Sequence, residues 1–303
     1  MRKLIASIAA LALLLSACSS TDVEETMEVL EETEESISHA PGEIPLDFAP
    51  MATTAQTGEY VLAPSSYFIE SMFEDYENYA SLSTVIYSQQ MVTPGEFESE
   101  VESPFESYTA PNSLIIPLAK GATAEPGDMV LTWWQTGSGM QRAYVVEGGT
   151  PTEPKVLYLD LDYDNPSTDE FGTPISQLVD QLEADSFVNL TDAPEFAPGK
   201  TVAINEGSEY GHYIVVASSG EQLLLNGFAG SYSVANIADA IELPLLPSVT
   251  VGDTVYYSEF GAMNPGGVVT KVDTEIGRVF VEYEFAGSME ETAFAFGDIV
   301  SNL

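Results

Sequence analysis

Gly252-Asp253-Thr254-Val255 opens the stretch that decides the fold, Val268-Val269 sits in its middle, and Arg278-Val279-Phe280-Val281-Glu282-Tyr283-Glu284-Phe285 leads into Ala286-Gly287-Ser288. Near its end Val279, Val281, Tyr283 and Phe285 alternate with Glu282 and Glu284, the period of two that a half-buried strand requires. Apolar runs of about 5–8 residues are separated by Gly, Pro, Asp and Ser, which are turn formers.

The same order occurs twice upstream. Gly127-Asp128-Met129-Val130 and Gly199-Lys200-Thr201-Val202 match the opening, Val145-Val146 and Val215-Val216 match the valine pair, and Lys155 to Tyr163 and Gln222 to Phe228 match the third strand. Phe228-Ala229-Gly230-Ser231 repeats Phe285-Ala286-Gly287-Ser288 word for word. Such recurrence predicts an all-β chain of three tandem small barrels over 112–192, 193–247 and 248–303, because short, bent strands with one buried face close most simply that way. A barrel of this size buries little surface alone, so the three are expected to pack on one another. The first copy carries an insertion, Asn165 to Asp185. Within it Thr173, Pro174, Ile175, Leu178, Val179 and Leu182 read as the N-cap, N1 proline and apolar face of a short helix.

Gly-Asp-x-Val, an aromatic pair, a valine pair, a turn and a strand ending in an aromatic together resemble Tudor and Agenet-type domains, barrels of the Src-homology-3 kind. The resemblance covers Ser113 to Leu303. It implies a cage of aromatic side chains that holds a methylated ammonium by cation–π attraction. In this sequence the matching residues are Trp133, Trp134, Tyr144 and Tyr163 of the first copy, with Tyr257, Tyr283 and Phe285 as a lesser set in the third. Strand alternation sends Trp133 and Trp134 to opposite faces, so at most one joins the core. The implied partner is a cationic protein or an amine-bearing envelope ligand, and no cofactor is implied.

Upstream of these copies the composition changes. Arg2 and Lys3 precede an apolar Leu4 to Leu15, and Leu15-Ser16-Ala17-Cys18 closes it, which reads as a secretory signal over 1–17 ending in a bacterial lipobox. Cys18 is the only cysteine of the chain, so no internal disulfide can form and the thiol is the expected lipid attachment point. The expected address is the bacterial cell envelope, and Ser19 after the cysteine favours the outer membrane over the inner one. Residues 18–111 carry no basic side chain and are rich in Glu, so they read as a disordered acidic stalk. One exception is 67–90, where Phe68, Met72, Tyr76, Tyr79 and Ala80 share a helical face ahead of a strand-like Ser83 to Tyr87.

Charge excludes one class of partner. The 303 residues hold 48 acidic against 8 Lys+Arg, a net charge of −40, and such a surface repels phosphate backbones, so nucleic acid is not expected. Catalysis is not expected either. His39 and His212 are the only histidines, no Gly-x-Ser-x-Gly elbow appears in the repeats, and no Cys/His cluster could hold zinc. Asp160-Leu161-Asp162-Tyr163-Asp164 places three carboxylates on one strand face. That gives the alternative reading, a calcium-dependent structural or adhesion module, although Asn165 and Phe171 stand where a helix-loop-helix calcium loop needs Gly and Glu. A hydrolase built on acidic pairs is the third reading.

Overall fold

The computed structural model describes residues 39–74, 84–164, 167–168 and 172–303. The expected leader, Cys18, the stalk before 39, Tyr76, Tyr79, Ala80 and Asn165 lie outside them.

The chain is mostly β, in three antiparallel sheets. The first holds β1 (Tyr60–Pro64), β2 (Ile86–Thr93), β3 (Glu98–Glu102), β4 (Ser107–Pro111) and β5 (Ile116–Pro117), with α1 (Ser66–Glu74) after β1. The second holds β6 (Met129–Trp133), β7 (Met140–Thr150), β8 (Glu153–Tyr158), β9 (Asp180–Gln181) and β10 (Val188–Asn189). The third has ten strands: β11 (Thr201–Asn205), β12 (Tyr210–Ser219), β13 (Gln222–Asn226), β14 (Tyr232–Asn236), β15 (Ala240–Glu242), β16 (Thr254–Glu259), β17 (Ala262–Asp273), β18 (Arg278–Phe285), β19 (Ser288–Ala295) and β20 (Ile299–Val300).

These strands form four units of one design. Each is a meander whose fifth strand returns beside the first: β5-β1-β2-β3-β4, β10-β6-β7-β8-β9, β15-β11-β12-β13-β14 and β20-β16-β17-β18-β19. The fourth and fifth strands of a unit do not pair, so no barrel is closed among the described residues. A pairing of Gly211 with Ala262 instead fuses the third and fourth units into the ten-stranded sheet. The expectation of three closed barrels is thereby corrected. All-β holds, but the units stay open and the sheet continues from one to the next.

The unit that sequence reading missed is the first, inside the expected stalk. Every unit opens with a four-residue turn whose third residue is a glycine at positive φ: Gln56-Thr57-Gly58-Glu59, Glu125-Pro126-Gly127-Asp128, Ala197-Pro198-Gly199-Lys200 and Thr250-Val251-Gly252-Asp253, with φ of 84°, 101°, 92° and 95°. This is type II turn chemistry, in which Gly is needed at the third place and Pro is favoured at the second. The fourth residue's N–H donates back to the first carbonyl at 3.0–3.1 Å in all four.

The glycine then clasps the second strand. Gly58, Gly127, Gly199 and Gly252 donate N–H to the carbonyls of Met91, Val145, Val215 and Val269, and those residues donate back to the carbonyls of Glu59, Asp128, Lys200 and Asp253. All eight bonds lie between 2.7 and 2.9 Å. The repeated Gly and the recurring Val are therefore the two ends of one hydrogen-bonded pair. Where the turn ends in an acid, its carboxylate also accepts the first residue's N–H, at 2.8 Å for Glu59, 2.9 Å for Asp128 and 2.7 Å for Asp253.

Packing joins the units. Met72 of α1, Leu114, Met129, Leu131, Val216, Leu224, Val281 and Ile299 belong to one buried cluster that runs through all four. In α1, Ser65 accepts the Phe68 N–H through its hydroxyl as an N-cap, and Phe68, Ile69 and Met72 face the core. The helix within 67–90 thus docks on the body, followed by strand β2. The helix expected in the insertion reduces to one 3-10 turn, Ile175–Gln177, because Leu178 is extended and Asp180–Gln181 pairs with β8. Edge pairing outcompetes helix propensity there.

Gly58→Ala and Gly252→Ala place a methyl group in open space, so each should lose about 1–3 kcal/mol in urea unfolding from backbone strain alone. Gly199→Ala should lose more, because its new carbon would stand 2.8 Å from Leu131 Cδ2. A Gly58→Ala protein that unfolds like the wild type contradicts the first unit.

Candidate functional site

Two hollows carry the chemically active side chains. The first lies between the first two sheets and encloses about 490 Å³. Tyr87 and Gln89 reach it from β2, Phe105 and Glu106 from the β3–β4 turn, Tyr108 from β4, and Trp133 from the end of β6, with Gly137 to Gly139 alongside. Trp133 packs on Tyr60 with ring centres 5.0 Å apart. Tyr108 donates its hydroxyl to the Pro64 carbonyl at 2.6 Å, and burial, with Glu106 second, pushes its pKa up, so it stays a neutral donor.

Charge in this hollow has one sign. Among the described residues Glu106 is the sole charged one in the lining, and its carboxylate accepts the Ser66 hydroxyl at 2.6 Å. Gln89 is 5% exposed, yet its side-chain carbonyl oxygen has no hydrogen-bond partner.

The second hollow, about 520 Å³, lies where the last three units meet. At its floor Arg142 of β7 donates to both Asp160 oxygens and to both Asp298 oxygens, the latter at 2.9 and 3.1 Å. The first of these bonds comes from its backbone N–H and the rest from the guanidinium. His212 of β12 places Nε2 at 3.1 Å from Asp298 Oδ1. Arg278 of β18, also buried, donates to the carbonyls of Tyr158, Leu159, Leu161 and Ala293 and lies 4.9 Å from the Tyr163 ring centre. Burial would raise the Asp298 carboxyl, but Arg142 and His212 outweigh it and hold the group well below the ordinary range. Burial lowers Arg278.

No family model matches the chain, and no curated protein matches it.

Trp133 lines the first hollow, whereas Trp134 packs on a separate core cluster and donates Nε1–H to Thr136 at 2.8 Å. The two rings do diverge as strand alternation requires. Tyr144 is a core residue: it is buried, stands edge-on to Phe296 and donates its hydroxyl to the Thr274 carbonyl at 2.7 Å. Tyr163 borders the second hollow, and the cation over its face is the chain's own Arg278. The four expected cage residues are thus not brought together. Tyr87, Phe105, Tyr108, Glu106 and Gln89 were missed with the first unit, although Gly58-Glu59-Tyr60-Val61 signals that unit in the sequence.

The three carboxylates of the calcium expectation make separate contacts. Strand β8 ends at Tyr158, and the three carboxylates are spent separately: Asp160 on Arg142, Asp162 on the Asp164 N–H, and Asp164 on the Ala293 N–H. Among the described residues no group of three His, Cys, Asp or Glu side chains could hold a metal ion. His212 is largely buried because β12 runs into the ten-stranded sheet.

Asp298→Asn should lower stability by about 3 kcal/mol at neutral pH, because it leaves Arg142 buried with half its countercharge. The Asp298 pKa is depressed below its ordinary 3.8, so its contribution is complete above that value and is lost as the pH falls below it. Urea unfolding across pH should show the gap between wild type and variant closing in acid. A gap constant down to the acid limit contradicts the ion pair.

Proposed function

We propose that the chain is a non-catalytic binding module of the bacterial cell envelope, anchored by lipid on Cys18, that captures an amine-bearing cationic ligand in the hollow beside Trp133. The observation that carries this reading is the lining: Tyr87, Phe105, Tyr108 and Trp133 around one carboxylate, with no Lys, Arg or His among the described lining residues. Aromatic faces attract a cation, and Glu106 supplies countercharge. A net charge of −40 concentrates cations at the surface and steers them inward.

We read the units as opened Tudor-like barrels. Support comes from the shared strand order and from the 3-10 turns Asn112–Leu114 and Ile237–Asp239, each just ahead of a fifth strand. The lipobox supports the anchor, and among the described residues no helix is long and apolar enough to cross a membrane. The hydrolase reading fares worse on the geometry. Ser258 lines the second hollow with His212 and Asp298, but no hydrogen bond joins its hydroxyl to His212, and Asp298 is held ionised by Arg142.

Calorimetric titration with a short peptide bearing one trimethyllysine, against its norleucine counterpart, tests the reading. The cationic peptide should bind, more weakly as salt rises, and Trp133→Ala should weaken it about 30-fold. Glu106→Gln separates site from scaffold: Glu106 is exposed, so the variant should leave the unfolding midpoint in place while weakening binding. Equal binding of the norleucine peptide, or full affinity in Glu106→Gln, overturns the proposal.

A further inference from the structure

A second feature lies away from Trp133. Phe228, Phe260 and Phe285 are 60%, 68% and 40% exposed, and their rings form a chain with centres 6.1 and 6.4 Å apart. Three separate turns present them. Phe228 begins the turn after β13, Phe285 ends β18, and Phe260 occupies the two-residue turn between β16 and β17. The word Phe-Ala-Gly-Ser, repeated at 228–231 and 285–288, thus places two of the three rings on either side of the third.

Phe260 is an unexpected residue for its place. Phe260 and Gly261 both have positive φ, 49° and 80°, as a type I′ hairpin turn demands, and Asn-Gly is what such a turn favours. A bulky aromatic in that conformation is an outlier whose ring packs into no core. The turn is held rigidly. A side chain on Gly261 would stand 2.5 Å from Phe228 Cβ, and the Gly261 carbonyl accepts the His212 N–H at 2.8 Å. The rings are presented on a fixed frame, which limits the ordering entropy lost on binding.

Charge selects the occupant. Phe228 and Phe260 line the junction cleft together with Asp162 and Asp164, while both arginines of that cleft are buried. A second copy of this chain, at −40, and an anionic bilayer are both repelled. We propose that Phe228, Phe260 and Phe285 form a docking face for a basic protein segment that inserts apolar side chains among the rings and sets its Lys or Arg residues against the surrounding carboxylates.

The test uses the full chain and two short synthetic peptides, one alternating Lys and Leu and one alternating Lys and Gly. The Lys–Leu peptide should bind in a salt-sensitive way, and Phe260→Asn should weaken it about ten-fold or more. Because Asn suits the turn, that variant should unfold no earlier than the wild type, which separates recognition from folding. Trp133→Ala should leave this binding intact. The proposal is overturned if Phe260→Asn binds unchanged, if Lys–Gly binds equally well, if Trp133→Ala alone abolishes binding, or if anionic vesicles or a second copy of the chain occupy the face instead.

Discussion

A backbone that must turn at a φ of 84–101° and then bond to a strand some distance ahead starts at least cost at glycine. That requirement, met at Gly58, Gly127, Gly199 and Gly252, sets the register of every unit. Once the turn residue clasps the second strand, the alternation of both strands is fixed, and with it the face each apolar side chain buries. The units remain open because their fourth and fifth strands do not meet, so each must cover its apolar face on a neighbour. A core cluster running from Ile44 to Ile299 is the outcome.

Electrostatics works against compaction in so acidic a chain, and the few cations are placed where they offset most. Arg142 sits between Asp160 of its own unit and Asp298 of the last, and Arg278 ties β18 to the carbonyls beyond β8. Lys200 stands where the other units have an acid and pairs with Glu242 at 2.8 Å. Cations are thus used within the fold, and the two hollows differ accordingly. The junction cleft has its arginines matched by protein groups, while the hollow beside Trp133 has a carboxylate but no cation among its described residues. Electrostatic complementarity there is completed only by a ligand.

Much of the fold was legible in the sequence where glycine and valine recur with the same partners. The strand of Arg278 to Phe285 alternates as read, with Val279, Val281 and Tyr283 buried and Glu282 and Glu284 exposed, though Phe285 turns outward. The first unit was hidden for a physical reason. Met91 replaces valine at the clasp, and five-residue strands among many glutamates, such as Glu98 to Glu102, look like linker until their exposed faces are separated from Ser99 and Val101, which are buried. The site suffered most from this omission, since one of its two walls is that unit. Trp133 was found because tryptophan is conspicuous; Gln89 was not, because an unsatisfied carbonyl has no signature in sequence.

The account stands or falls on the first unit being a folded equal of the other three. Residue-resolved amide hydrogen exchange measures this at the clasps themselves. The Met91 and Gly58 amides should exchange as slowly as those of Val145, Val215 and Val269, reporting closure in one cooperative body. Exchange of Met91 at the rate of an unstructured peptide, with the three valines protected, would contradict it.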